Sequence, residues 1–406
     1  MIRKHLFVIF CLICLISEVY ANPVVNLNKS KPIRQQMDKA YGAKDNTVFY
    51  ITLDFDLGGQ TVNLPESSVL KFEGGTLRNG SIMGANTRID APLIAIFSNV
   101  SLKGIWVLDG VRAEWFGARP NRPNVDCSDA LNKAIVTGGE IKVPVILSSA
   151  NYYIQKTIEL NAVGLQGVNS QHSIITFSSN VDVAVSIQGQ FRTFKNIRVQ
   201  SKEPTKKKGI CVKVGDLKTK NSSTRGYIED IVVTGGDVGL DLQYQWCQKI
   251  TGIIAKNNNI GIRSSKTTTF IENAIVEDNN ICGVLSFENG VKLYSSVIEG
   301  NSIGCYFNGK ENALLFCSFE GNDMKHGISA TQIKKYGITE TKGGHIFVGL
   351  DRPVAYMVIE GCHISESGER GTKRMVVDRC QCLVMFGNTN MSSLTMTRRC
   401  NLKLKD

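Results

Sequence analysis

Short runs in which apolar and polar residues alternate recur along the chain, punctuated by Gly, Asn and Ser. Alternation at a period of two marks a strand with one buried face, and the punctuating residues tolerate the left-handed backbone of a bend. The runs are also self-similar: 251-TGIIAKNNNIGI-262 aligns with 273-NAIVEDNNICGV-284, 295-SSVIEGNSIGC-305 and 316-FCSFEGND-323. Asn257, Asn279 and Asn301 lie 22 apart, and Asn322 follows after 21. Gly239, Gly261 and Gly283 keep the interval of 22, and Gly304 follows after 21. Two residue types sharing one period indicate a solenoid in which each turn lays a strand on its neighbour.

Asparagines at equivalent bends are expected to stack as a ladder, each side-chain amide bonding the next and satisfying buried backbone groups. The inward series should be Ile231 and Val233, Gly252 and Ile254, Ala274 and Val276, Ser296 and Ile298, Cys317 and Phe319. A horseshoe of leucine-rich repeats shares the period but needs a helical return. The returns here, 261-GIRSSKTTTFI-271 and 283-GVLSFENGVKLY-294, are β-branched, aromatic and glycine-punctuated, and so read as strands. The pattern predicts an all-β chain: a single-stranded, right-handed parallel β-helix of about 22 residues per coil.

The N-terminal half follows the pattern less regularly, with strand-like runs 61-TVNL-64, 69-VLKFEGG-75, 81-SIMGANTRI-89, 93-LIAIF-97 and 100-VSLKGIWVL-108. The stretch 114-EWFGARPNRPNVDCSDALNKAI-135 interrupts it, with Ser128 as the expected N-cap of a short helix ending near Ile135, before Gly138 and Gly139. Strand character should resume in 140-EIKVP-144 and 152-YYIQKTIEL-160. The expected divisions are a leader at 1–21, an N-terminal segment or cap at 22–49, irregular coils at 50–117, a junction with the short helix at 118–160, and the main β-helix at 161–406.

The first residues bear on where the protein works. Arg3 and Lys4 precede the apolar run 6-LFVIFCLICLI-16, and 19-VYA-21 offers small residues for cleavage, as in an export signal. No later segment is apolar over a membrane-spanning length, so a periplasmic, cell-surface or secreted protein is expected. The net charge is +11, of which the leader supplies +1 through Arg3, Lys4 and Glu18. Outside the cytoplasm such a balance favours an acidic polysaccharide over nucleic acid as partner; part of the charge serves solubility alone in the alternative view. Much of the excess lies in 202-KEPTKKKG-209 and 218-KTKNSSTRG-226. Ten of the 12 cysteines lie outside the leader, in no small disulfide framework, and buried free thiols are expected for most. Cys380 and Cys382 lack a matching second pair for a zinc knuckle. No capping helix is evident after Leu394, so an irregular cap or a homo-oligomer is expected to cover that end.

The order WFGA, a polar loop, ALNKAI, GGEIKVP, a Tyr-Ile pair and TIEL resembles the opening of pectate-lyase-superfamily β-helices, phage-tailspike-like proteins included. The preceding LDFDLGGQTVNLPESSVLKFEGGTLRNGSIMGANTRI resembles the N-terminal region of exported bacterial members, particularly of Bacteroides type. The resemblance covers roughly residues 50 to 200 by motif and the remainder by coil pattern. It implies a pectin-lyase-like solenoid and, by analogy of fold, polysaccharide cleavage. The motifs of activity depart from it. RPNRPNVDCSDALNKAI stands where related chains read like DGVTDDTAAI, and only Asp126, Ser128 and Asp129 keep its acidic character. The N-T-D, D-D, G-H-G and R-I-K set of polygalacturonases is absent, with Lys325-His326-Gly327 a fragment, and 119-RPNRP-123 has the wrong spacing for the R-x-P-x-x-R of pectate lyases. No catalytic residue carries over from either family.

Candidate chemistry comes from the repeats themselves. Glu277, Glu299 and Glu320 occupy one outward position in successive turns, and 356-YMVIEGCHI-364 suggests Glu360 as a fourth. Stacked neighbours lie about 4.8 Å apart. Paired carboxylates at roughly 5 to 5.5 Å suit retaining glycoside hydrolysis, and at roughly 6.5 to 9.5 Å inverting hydrolysis. A polyuronate lyase would instead hold Ca²⁺ with carboxylates while a Lys, Arg, His or Tyr removes a proton from the sugar. Lys325, His326 and His363 lie near the row in sequence, and Arg263 and Lys256 come from the preceding turn. In the alternative, each Glu is a solvated strand-end residue copied with the repeat. Tyr244 and Trp246 offer either a sugar-stacking platform or packing at a turn. His172 and His345 read as ordinary surface or packing residues, and Asp54 and Asp56 as exposed strand positions, with a metal site as their alternative. Two functions follow: a polysaccharide lyase, in preference to a glycoside hydrolase, that binds and cleaves an acidic polysaccharide; or a non-catalytic polysaccharide-binding, adhesin or structural β-helix. The sequence assigns no metal ligands.

Overall fold

Apolar residues at every second position force the chain to keep returning to one interior, and the computed structural model shows how. It describes residues 22–323, 329–340, 343–365, 375–389, 394–397 and 400–404. Residues 1–21, expected to be a leader, and Lys325 and His326 lie outside the described residues. Each regular coil contributes three strands to three faces of a parallel β-helix, and every strand pair within them is parallel. Thr269–Glu272, Val291–Tyr294, Glu311–Leu315, Val354–Glu360 and Cys380–Phe386 stack on the first face. Ile275–Glu277, Val297–Glu299, Ser318–Glu320 and His363–Ile364 stack on the second. Ile260–Ser264, Cys282–Glu288, Ile303–Gly309 and Gly344–Val348 stack on the third. Between the first two faces the chain bends through left-handed residues, among them Asn273, Ser295, Phe316 and Gly361.

The asparagine ladder is present at the bend from the second face to the third, one residue out of the expected register at its start. Asn258 is the buried rung, whereas Asn257 is exposed with φ of 54°. Side-chain amides run Asn258 to Asn279 (3.1 Å), Asn279 to Asn301 (2.9 Å) and Asn301 to Asn322 (2.9 Å). Each acceptor oxygen also takes the backbone N–H of the preceding rung at 3.0 to 3.1 Å. The same slip corrects the inward series: Ile253 and Ala255 are buried, and Gly252 and Ile254 are not. In a strand a shift of one residue exchanges the faces, and three consecutive asparagines at 257–259 left the sequence with three candidate rungs. The ladder ends on His345, whose Nδ1 lies 3.0 Å from the Asn322 amide nitrogen, and burial pushes this imidazole down to about 4. The glycines in step with the ladder are needed for close stacking: a Cβ on Gly261 or Gly283 would lie 2.7 Å from the carbonyl oxygen of the next glycine.

Two further expectations are corrected. The helix runs Ser128–Ile141 through Gly138 and Gly139 and stops at Lys142 in the left-handed region. Thr137, Gly138 and Ile141 are buried, so packing outweighs the poor helix propensity of the glycines. Residues 140 and 141 therefore belong to the helix, and the next strand is Val145–Ile146. Ser128 does not cap the helix; its hydroxyl accepts the Gln155 and Lys156 N–H groups at 3.0 Å each. In 93-LIAIF-97 the strand begins only at Phe97, and Leu93 and Ile94 are exposed.

The chain divides into two compact units, one reaching to Pro92 and including Ile96–Leu108, the other Leu93–Ala95 with Asp109 onward. In the first, Val24–Asn26, Val48–Ile51, Val69–Phe72 and Leu77–Asp90 form a parallel sheet over Phe49, Ile51, Leu70 and Phe72. In the second, the segment 329–340, with a helix at Ala330–Lys334, covers the outside of the third face, where Ile333, Tyr336 and Ile338 join Ile260, Leu285, Tyr306 and Phe347. The ten described cysteines are free thiols; seven are buried, and Cys247 is exposed. No described helix is long and apolar enough to cross a membrane.

Candidate functional site

Glu277, Glu299 and Glu320 are in register on the second face and point outward, as their alternation requires. The column does not begin with them. The pairings carry it back through Lys256, Thr234, Gln200 and Thr176 to Tyr153, so that one line of outward side chains crosses eight strands. Its first part is neutral and linked, with the Gln200 amide donating to Thr176 Oγ1 (3.1 Å) and Thr176 Oγ1 donating to Asn151 Oδ1 (2.8 Å). Its middle is the Lys256–Glu277 ion pair at 3.2 Å, and its last part is acidic.

Two loops turn the first part into a groove. Asn121 anchors one, donating its N–H to Asn151 O (2.7 Å) and accepting the Asn151 N–H on Oδ1 (2.9 Å). The other is the basic stretch at 202–208, whose Lys202 ammonium sits 4.7 Å above the Tyr153 ring and donates to Asn124 Oδ1 of the first loop at 2.7 Å. Beneath them lie a recess of about 250 Å³ lined by Asn121, Arg122, Asn151, Tyr153, Thr176 and Lys202, and a wider one of about 750 Å³ lined by Gln200, Lys202, Lys207, Thr234, Asn257 and Asn280. Lys207 reaches in and donates to the Asn257 carbonyl, and burial holds its ammonium below the usual lysine range. Glu203, by contrast, is held low by its contact with Lys206 and stays with the loop.

The other candidates fall elsewhere. Glu360 is not a fourth member of the row: it pairs with Leu315 on the first face, because the strand Val354–Glu360 continues the first face. His363 is beside the row, in register with Ser318, and its Nδ1 contacts Thr389 Oγ1 at 2.8 Å. Arg263 lies on the third face, bound through Nε and Nη2 to the buried carboxylate of Asp241 at 2.8 and 2.6 Å, a structural pair away from the glutamates. Tyr244 and Trp246 meet edge to face with centroids 5.4 Å apart; Trp246 belongs to a small corner sheet with Gly189–Gln190 and Ser223–Thr224, away from the row. Asp54 and Asp56 accept from Thr76 and from Asn79 and Gly58, the work of turn residues. Lys325 and His326 lie outside the described residues.

Among the described residues no three His, Cys, Asp or Glu side chains converge to hold a metal ion. Within the row the Glu277 carboxylate is already paired with the Lys256 ammonium at 3.2 Å. The row does not fit the Ca²⁺ site that a lyase suggested. Sequence reasoning missed Asn121, Arg122, Lys202 and Lys207 as site residues; the charge of 202–208 was the available signal.

Fold and groove together define an all-β parallel β-helix protein with a polar groove along one face. The chain matches no known family profile and no curated protein. Among solved structures it is similar to a Geobacillus virus protein (14% identity, 73% of this chain and 60% of the other, TM-score 0.47). It is also similar to a tailspike of an Acinetobacter phage (10%, 74% and 63%, 0.48) and to the A-module of a mannuronan C-5 epimerase from Azotobacter vinelandii (12%, 73% and 98%, 0.39). The chemistry is therefore read from this chain's own side chains.

Proposed function

We propose that this is an exported carbohydrate-active β-helix protein that lays an acidic polysaccharide along the second face and cleaves it, by β-elimination in preference to hydrolysis. The observation that carries this reading is the continuous column from Tyr153 to Glu320, roofed at one end by basic loops. Arg122 and Lys202 are positioned to offset the charge of a uronate carboxylate, which makes the proton on the adjacent ring carbon easier to remove. Lys207, whose ammonium burial holds below the usual lysine range, is the base in the wider recess. Lys207 takes that proton, the electron pair of the broken carbon–hydrogen bond forms a carbon–carbon double bond in the ring, the glycosidic carbon–oxygen bond breaks, and the departing oxygen takes up a proton from water. The acidic end of the column repels further uronates and so favours one placement of the chain.

A non-catalytic binder is the second reading, favoured because Glu299 is exposed and Glu277 is tied to Lys256. Incubation with polygalacturonate, alginate, hyaluronan and chondroitin sulfate separates the two, following absorbance of the unsaturated product and the release of reducing ends. The lyase reading expects both signals from at least one polymer. Reducing ends alone would assign hydrolysis, retention on a polymer with neither signal would leave the binder, and no retention on any would overturn the acidic-polysaccharide reading.

A further inference from the structure

The first face carries an outer surface of different character from the groove. Phe270, Lys292, Ala313, Val358 and Val384 form one outward column, and Phe386 and Tyr356 stand in the columns on either side. Ala313 is the short member, so the surface dips between Lys292 and Val358 into a depression of about 660 Å³. Its rim is aromatic and accessible, with Phe270 59%, Tyr356 43% and Phe386 46% exposed. Lys292 folds back over the Phe270 ring at 5.0 Å, which keeps its ammonium at one edge of the dip while Glu360 lines another part. A depression of this size, mostly apolar with a few polar tips, has the composition of a small-ligand site.

Size and charge select the occupant. Five strands about 4.8 Å apart, each offering about four residues of 3.3 Å, give a surface of roughly 20 by 13 Å. That is near 260 Å², about a third of the 800 Å² per partner that a stable protein interface buries. The two charges have opposite sign and offset one another, unlike the excess of cations at the groove. Ring faces offer flat apolar contact to the C–H face of a pyranose, and an ammonium and a carboxylate can pair with its hydroxyls.

We infer that this depression is a second saccharide site, specific for a short run of neutral hexopyranose units and separate from the groove on the second face. The assignment does not rest on the groove's function. The test is calorimetric titration of the full chain with cellohexaose, maltohexaose and laminarihexaose, and with hexagalacturonate for comparison. At least one neutral hexasaccharide should bind in the millimolar range or tighter. Ala313→Arg, which fills the dip from the outside, should weaken that binding at least about tenfold and leave retention on polyuronate unchanged. Tyr356→Ala, which only removes a rim ring, should act in the same direction and guards against a fold defect in the first variant. Lys202→Ala should spare neutral-sugar binding while weakening polyuronate binding, so that the two sites fail separately. The inference is overturned if no neutral hexasaccharide binds, or if both first-face variants bind as the parent does. It is overturned equally if sedimentation shows a dimer that Ala313→Arg dissolves, which would give the surface to a second copy.

Discussion

Replacing an interior rung of the ladder tests how the coils are held together. Asn301 accepts the Asn279 N–H (3.0 Å) and the Asn279 side-chain amide (2.9 Å), and donates to Asn322 Oδ1 (2.9 Å) and to the Val276 carbonyl (2.9 Å). Asn301→Leu keeps much of the shape and removes every one of these bonds. Asn322 Oδ1 retains the backbone N–H of residue 301 at 3.1 Å, and the Asn279 amide retains the Ala255 carbonyl at 3.0 Å. Two buried donors are then left without partners: the Asn279 N–H and the second hydrogen of its amide. At about 1 to 3 kcal/mol for each buried group left unpaired, the loss is about 2 to 6 kcal/mol. Urea unfolding followed by circular dichroism reads it as a lower midpoint at unchanged slope. Asn257→Gly, at an exposed left-handed position next to the ladder, should stay within about 0.5 kcal/mol of the parent. A loss below about 1 kcal/mol for Asn301→Leu, or a larger loss at Asn257 than at Asn258 under the same change to Gly, would refute the ladder as drawn.

Three other outcomes follow from the packing. Gly283→Ala would bring a Cβ to 2.7 Å from the Gly304 carbonyl oxygen, and it should lower stability by about 1 to 3 kcal/mol in the same assay. Arg263→Ala strands the fully buried Asp241 carboxylate and should lose about 3 to 5 kcal/mol while leaving polyuronate retention intact, which separates a structural ion pair from a substrate contact. His345 is held near 4 in the folded chain against an ordinary value near 6.5, so the unfolded chain binds the extra proton first. Its contribution is fully present above pH 6.5 and is lost as pH falls toward 4, by up to about 3 kcal/mol; His345→Gln should flatten that part of the stability profile.

The repeat was legible because its signals are local and chemical. Asn at a buried bend and Gly at a crowded one are each nearly irreplaceable, so the interval shows in a single chain. Where a local signal was ambiguous the reading slipped, as at 257–259, where only contact with Asn279 selects Asn258. Glu360 misled for a related reason: a glutamate before Gly361 imitates Glu299 before Gly300, but the insertion between coils places it one face away. The groove was not legible. Its column is Tyr153, Thr176, Gln200, Thr234 and Lys256, four residue types at unequal intervals, and only the strand pairings bring them into one line. The loops that roof it meet through Lys202 and Asn124, a contact between segments far apart in sequence. Helix propensity likewise placed a stop at Gly138, where burial against the coil carries the helix on to Ile141.

The central claim is that an acidic polysaccharide occupies the second face between the two loops. Thr234 lies on the floor of the wider recess and points outward, so Thr234→Trp fills the groove from outside with the interior untouched. Equilibrium binding of a fluorescent hexauronate to the parent and to this variant is the direct measurement. The account predicts that the variant melts with the parent and binds at least about tenfold more weakly; equal affinity for both would contradict it.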